Sequence, residues 1–191
     1  MHELYISDQT FDRNHLVKYP FTKGEYENCT FKGCDLSNHD LSDFKFSECE
    51  FIGCNLSLAK LKKTALQNIR FRDCKLMGLH FYTCNDFGLS VSFDNCILNH
   101  SSFYQMKLKK TFFKNSQLQE TDFTECDLSN SVFDNCDFAK AMFENSVLEK
   151  VDFRSSFNYI IDPEINRIKK AKFSLPAVTG LLAKYDIEID N

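Results

Sequence analysis

One feature constrains this chain more than any other: an apolar residue recurs every five positions. From Ile6 to Phe81 every fifth residue is Ile, Phe, Leu or Tyr, and the series resumes at Phe93 and runs to Phe153. With apolar residues at 43% of the chain, runs of this length do not arise by chance. A helix repeats every 3.6 residues and a strand every 2, so a period of five fits neither. It fits a chain that turns a corner every five residues. Four such sides make a square coil of about 20 residues, and stacked coils pair backbone to backbone at ~4.8 Å.

A second signal lies two positions before each apolar centre, written here as i−2 with the centre as i. It is compact in most repeats: Cys29, Cys34, Cys49, Cys54, Thr64, Cys74, Ser101, Thr121, Ser131 and Ser146 are examples, and His39, Phe44, Ile69, Leu79 and Met106 are exceptions. The other three positions are mostly polar. Two residues therefore point inward and three outward, and a close-packed interior fixes the volume allowed at each inward place.

The segments Cys34-Asp35-Leu36-Ser37-Asn38, Thr121-Asp122-Phe123-Thr124-Glu125 and Cys126-Asp127-Leu128-Ser129-Asn130 resemble pentapeptide repeats of the form A(D/N)LXX. The resemblance implies an all-β fold, a right-handed quadrilateral β-helix. The number of in-register centres sets it at about seven coils. We read residues 1–25 as an N-terminal coil or cap, 26–157 as the repeat, and 158–191 as a C-terminal cap.

The register breaks between Phe81 and Phe93, which are two residues further apart than two repeats. The expected centre there is Asp86, so residues 84–92 form a bulge or short loop in which Phe87 is expected to turn inward. The segment Asn85, Asp86, Phe87 and Gly88 is either a neutral insertion or a small recognition loop, since solenoid insertions project on one face. Pro20, Pro163 and Pro176 fall outside the dense repeat, as residues without an N–H should.

An open solenoid end must be capped. Ser174 and Pro176 suit the start of a helix in which Val178, Leu181, Leu182 and Tyr185 make one apolar stripe. Asp186 to Asp190 then alternates as a short strand. The stripe either covers the last coil alone or also forms a two-fold seam. The family resemblance favours the seam and so a homodimer.

All nine cysteines occupy i−2, which suits buried, reduced thiols rather than disulfides or a zinc site. His2, His15, His39, His80 and His100 form no metal or catalytic motif, and His39, at i−2, is expected in the core. No phosphate-cradling glycine loop or nucleophile elbow occurs. A core filled by its own side chains leaves no substrate cavity, so the expectation is no enzyme, no cofactor and no metal. The N-terminus carries no secretory pattern and no apolar run would span a bilayer, so a cytoplasmic protein without membrane contact is expected.

Function then falls to the outer faces. Residues 60–75 carry six basic side chains against one acidic, and residues 111–153 carry nine acidic against three basic. The 20-residue coil places Asp122, Glu125 and Glu144 on one side, with Glu120 and Asp137 on the adjoining side. Such an acidic strip is either a solubilising face or a decoy for phosphates in a basic groove. Asp12-Arg13-Asn14, Phe51-Ile52-Gly53-Cys54 and the stretch from Lys172 to Ile189 resemble the Qnr-type quinolone-resistance proteins. That likeness implies a DNA mimic that binds DNA gyrase or topoisomerase IV and itself binds no nucleic acid. The alternative is a scaffolding module with another protein partner.

Overall fold

The computed structural model describes residues 4–14 and 21–189. Leu16, Pro20, Asp190, His2 and His15 lie outside the described residues. The chain is a parallel β-helix of three- and four-residue strands, and its coil count agrees with the expected seven to within about one. One sheet stacks β1 (Tyr5–Ser7), β3 (Glu25–Glu27), β5 (Lys45–Ser47) and β7 (Ala65–Gln67). The other stacks β2 (Thr10–Asp12), β4 (Thr30–Lys32), β6 (Glu50–Ile52), β8 (Ile69–Arg72), β9 (Val91–Asp94), β10 (Phe112–Lys114) and β11 (Val132–Asp134). Within these sheets partners lie 20 residues apart, as Phe31 with Phe51, except across the break, where Phe71 meets Phe93. Isolated bridges continue the ladder to Lys172.

Every centre from Tyr26 to Phe81 and from Phe93 to Phe153 is buried. The phenylalanines stack in columns, with centroids 4.6 Å apart for Phe31–Phe51 and Phe113–Phe133 and 5.2 Å for Phe103–Phe123. These distances match the coil rise, so each ring lies flat on the ring below. Neighbouring columns meet edge to face, as Phe103 and Phe113 do at 90°. The corner falls at i+2, where Asn28, Asn38, Lys63, Glu125 and Asn130 all have φ between 50° and 62°. Asn and Asp tolerate this left-handed conformation best among residues with a side chain, which explains their abundance there.

The i−2 side chains do more than fill a gap. Thr64 Oγ1 donates to the Leu41 carbonyl, Ser131 Oγ to Leu108 and Ser146 Oγ to Phe123, each at 2.7 Å. The thiols of Cys54 and Cys74 do the same to Phe31 and Phe51 at 3.3 Å. Most inward hydroxyls and thiols thus satisfy a carbonyl of the preceding coil, whereas Ser116 and Cys136 donate to Lys114 and Asp134 on their own coil.

Nine cysteines are free, and all but Cys84 are buried. Burial pushes the Cys49, Cys84, Cys126 and Cys136 thiols up to about 12, which suppresses the reactive thiolate. In the native protein, mass mapping after a thiol reagent should find slow modification at half-buried Cys84 and none at the other eight until the chain is unfolded. Rapid native labelling of Cys34 or Cys54 would contradict the inward register.

Three expectations are corrected. His39 is exposed, with Nδ1 3.1 Å from the Ser37 carbonyl. Size is not the cause, since the larger ring of Phe44 is buried at i−2; the polar imidazole turns outward to the Ser37 carbonyl and water instead of being desolvated in an apolar core. Phe87 is 78% exposed instead of replacing the lost centre. At the C-terminus the expected α-helix is a pair of 3-10 turns, Val178–Leu181 and Ala183–Tyr185, and residues 186–189 form no strand. Thr179 and Gly180 are weak helix formers, and three residues per turn put Val178 and Leu181 on one side and Leu182 and Tyr185 on another.

Candidate functional site

Residues 81–92 explain the register break. Asn85 still pairs with Ala65, and Asn85 Oδ1 accepts the Phe87 amide at 3.0 Å to start a tight turn. Gly88 closes that turn at φ 68°, where a side chain would be strained. Ser90 then donates to the Leu66 carbonyl at 2.9 Å, and from Val91, which pairs with Ile69, the register is recovered after two extra residues. Leu89, half-buried against the core, takes the inward role expected of Phe87. Asp86 is exposed.

The bulge interrupts the ladder toward the next coil. Asp127 and Val147 donate to the preceding coil at 2.9 and 2.8 Å, whereas the Lys107 amide makes no such backbone bond among the described residues. The gap is a cleft of about 540 Å³, lined by Phe81, Tyr82, Cys84, Asp86, Leu89, Tyr104, Gln105, Met106 and Lys107. Exposed Phe87 lies outside this cleft and borders another surface groove with Lys45, Lys63 and Gln67, whose Nε2 donates to the Phe87 carbonyl at 3.2 Å.

The five acidic residues do not behave alike. Glu120 lies between His100 Nδ1 at 3.3 Å and the Lys140 ammonium at 3.7 Å, and Lys140 offsets part of its charge. Desolvation of Asp137 would raise its pKa, but hydrogen bonds from Gln119 and Asn158 and the Ala139 amide outweigh it and hold the carboxyl below the ordinary range. Asp137 therefore works as a structural acceptor. Asp122, Glu125 and Glu144 remain on the side carried by Phe123 and Phe143. Asp122 accepts from Ser102 Oγ at 3.0 Å and the Thr124 amide at 2.9 Å, and Glu125 from Gln105 Nε2 at 2.7 Å. None of the three makes an ion pair among the described residues.

The C-terminal tail is fixed from several directions. Ile161 donates to the Gly180 carbonyl at 3.1 Å, and a Cβ on Gly180 would lie 2.0 Å from the Tyr159 carbonyl oxygen. Lys184 Nζ sits 2.7 Å from both Asp162 and Glu164, and Tyr185 donates to Glu164 at 2.8 Å. Val178 and Leu181 are half-buried, while Leu175, Leu182, Tyr185, Ile187 and Ile189 are exposed. No group of His, Cys, Asp and Glu suited to a metal occurs among the described residues, and none of their helices is long and apolar enough to cross a membrane.

The pentapeptide repeat region family matches residues 25–86 and 89–157. The chain belongs to the pentapeptide-repeat family. The two residues between the matched segments are Phe87 and Gly88, the tip of the bulge. Among solved structures, the fold is similar to full-length QnrB1, described as a plasmid-mediated fluoroquinolone resistance protein. Identity is 20% and TM-score 0.48, over 96% of this chain and 100% of that one. It is also similar to HetL from the cyanobacterium Nostoc, a pentapeptide repeat protein involved in heterocyst differentiation regulation. Identity there is 13% and TM-score 0.40, over 91% and 85% of the two chains. No curated protein matches.

Proposed function

We propose that this pentapeptide-repeat protein is a non-enzymatic, cytoplasmic binder of a type II topoisomerase, DNA gyrase or topoisomerase IV, which it occupies as a DNA mimic and so shields from quinolones. The observation that carries the reading is the trio Asp122, Glu125 and Glu144, unpaired carboxylates on one flat β-helix side. A basic groove that holds phosphates through Lys and Arg can hold such carboxylates through the same contacts. The Qnr-like segments of the sequence support the same partner. The test is capture on immobilised gyrase. Retention at low salt and release by added duplex DNA are expected. No capture, or capture that DNA does not displace, would count against the reading.

A scaffolding role rests on a different observation, the exposed Phe87 ring at the tip of the bulge. In that case capture of the partner would survive high salt and weaken in Phe87→Ser.

The exposed apolar tail supports a homodimer through the C-terminal end. Leu182→Asp puts a charge into a desolvated seam and should give monomers that keep their β-type circular dichroism. A wild-type chain that sediments as a monomer at micromolar concentration would remove this seam.

A further inference from the structure

On the side carried by Leu61, Phe81, Phe103, Phe123 and Phe143, charge is sorted along the rod, and the coil before it, that of Leu41, carries Asp40 and Asp43. The bridges Asp40–Lys60, His80–Ser102, Ser102–Asp122 and Asp122–Met142, with the Lys63 amide bonded to the Thr83 carbonyl, fix the order of coils. Lys60, Lys62 and Lys63 stand on one coil. His80 and Tyr82 stand on the next and Tyr104 on the one after. Asp122 and Glu125 follow, and Glu144 lies one coil further. Elsewhere opposite charges pair between adjacent coils, as Lys23 with Asp43 at 2.9 Å and Arg167 with Glu149 at 2.7 Å. Among the described residues Lys60, Lys62 and Lys63 make no ion pair, like the three carboxylates. Between the charged ends lies an exposed aromatic group: Tyr82 is 47% and Tyr104 36% exposed, 6.4 Å apart and edge to face.

We infer that this side binds a second copy of the chain, antiparallel, about a two-fold axis between the Tyr82 and Tyr104 coils. The axis lies in the contact plane across the rod, so each column of outward residues meets itself reversed. Lys60 then faces Asp122, Lys63 faces Glu125, and Tyr82 faces Tyr104. Lys62 meets Thr124 beside Glu144. Asp40 and Asp43 meet Met142 and Asn145, so no like charges oppose. The aromatic pairs form the centre and the ion pairs the rim. The contact is one side of a coil wide and about six coils, or ~29 Å, long. That is smaller than a standard interface, so the dimer is weak and salt-sensitive. The inference is independent of the topoisomerase reading, but self-association would cover Asp122 and Glu125 and so compete with any partner using them.

The test is sedimentation at high protein concentration, in the Leu182→Asp background to remove the C-terminal seam. Wild-type faces should associate at about 50 mM salt and separate at about 500 mM. Lys60→Glu/Lys62→Glu/Lys63→Glu should be monomeric, as should Asp122→Lys/Glu125→Lys/Glu144→Lys. Mixed, the two variants should associate again, because every reversed charge meets a reversed partner. Zero-length carbodiimide coupling should join Lys60 to Asp122 between isotopically distinct copies. Within one chain these residues are three coils apart, beyond its reach. Association unchanged by either reversal, or failure of the mixture to associate, would overturn the inference. Circular dichroism of each variant separates loss of contact from loss of fold.

Discussion

Phe123→Ala should lower the unfolding free energy by about 3–5 kcal/mol. The ring stacks on Phe103 and Phe143 at 5.2 Å each and meets Phe113 and Phe133 edge to face at 6.2 and 6.0 Å. It is fully buried, and the coils above and below are fixed by backbone ladders, so the cavity cannot collapse. The control is Asn130→Ala. Asn130 is exposed and left-handed at φ 62°, so its loss should cost no more than about 1 kcal/mol, from backbone preference alone. Urea denaturation of both variants checks the register directly, and equal losses would refute a core with two inward positions in five.

The second large effect is on binding. Asp122→Asn, Glu125→Gln and Glu144→Gln together keep the shape and remove three charges. Gyrase affinity should fall about a hundredfold, with any quinolone protection falling in parallel. The folded state should change little. The new side-chain amides keep an oxygen that can accept the bonds from Ser102 and Gln105, and exposed charges contribute little to folding. Neutralising Lys60, Lys62 and Lys63 should leave gyrase binding intact or improve it, since these charges have the sign of the groove. Isothermal titration of wild type and both triple variants separates these outcomes.

The five-residue spacing carried the coil, the columns and the inward cysteines. Volume decides such a core and the sequence displays volume directly. Two departures were harder to read. Register alone puts His39 and Phe87 inside, but a polar imidazole turns outward where the larger Phe44 ring stays buried, and a two-residue insertion moves the inward place from Phe87 to Leu89. The donor role of i−2 was visible in principle, because Thr, Ser and Cys recur where alanine would also have fitted. In the acidic strip, the 20-residue period gave the shared side but not the partial neutralisation of Glu120. Its signal was nevertheless present, since Lys140 follows Glu120 by one coil. The C-terminal stripe is not legible from spacing alone, because helix type, which the Thr179-Gly180 pair alters, determines which apolar residues share a face.

If Asp122, Glu125 and Glu144 pair with a basic groove, the affinity for gyrase must depend on salt. A steep, monotonic fall in affinity from about 50 to 300 mM salt is expected for the wild type, with a clearly shallower slope for the three-charge variant. No binding at low salt, or the same slope in both proteins, would contradict that pairing.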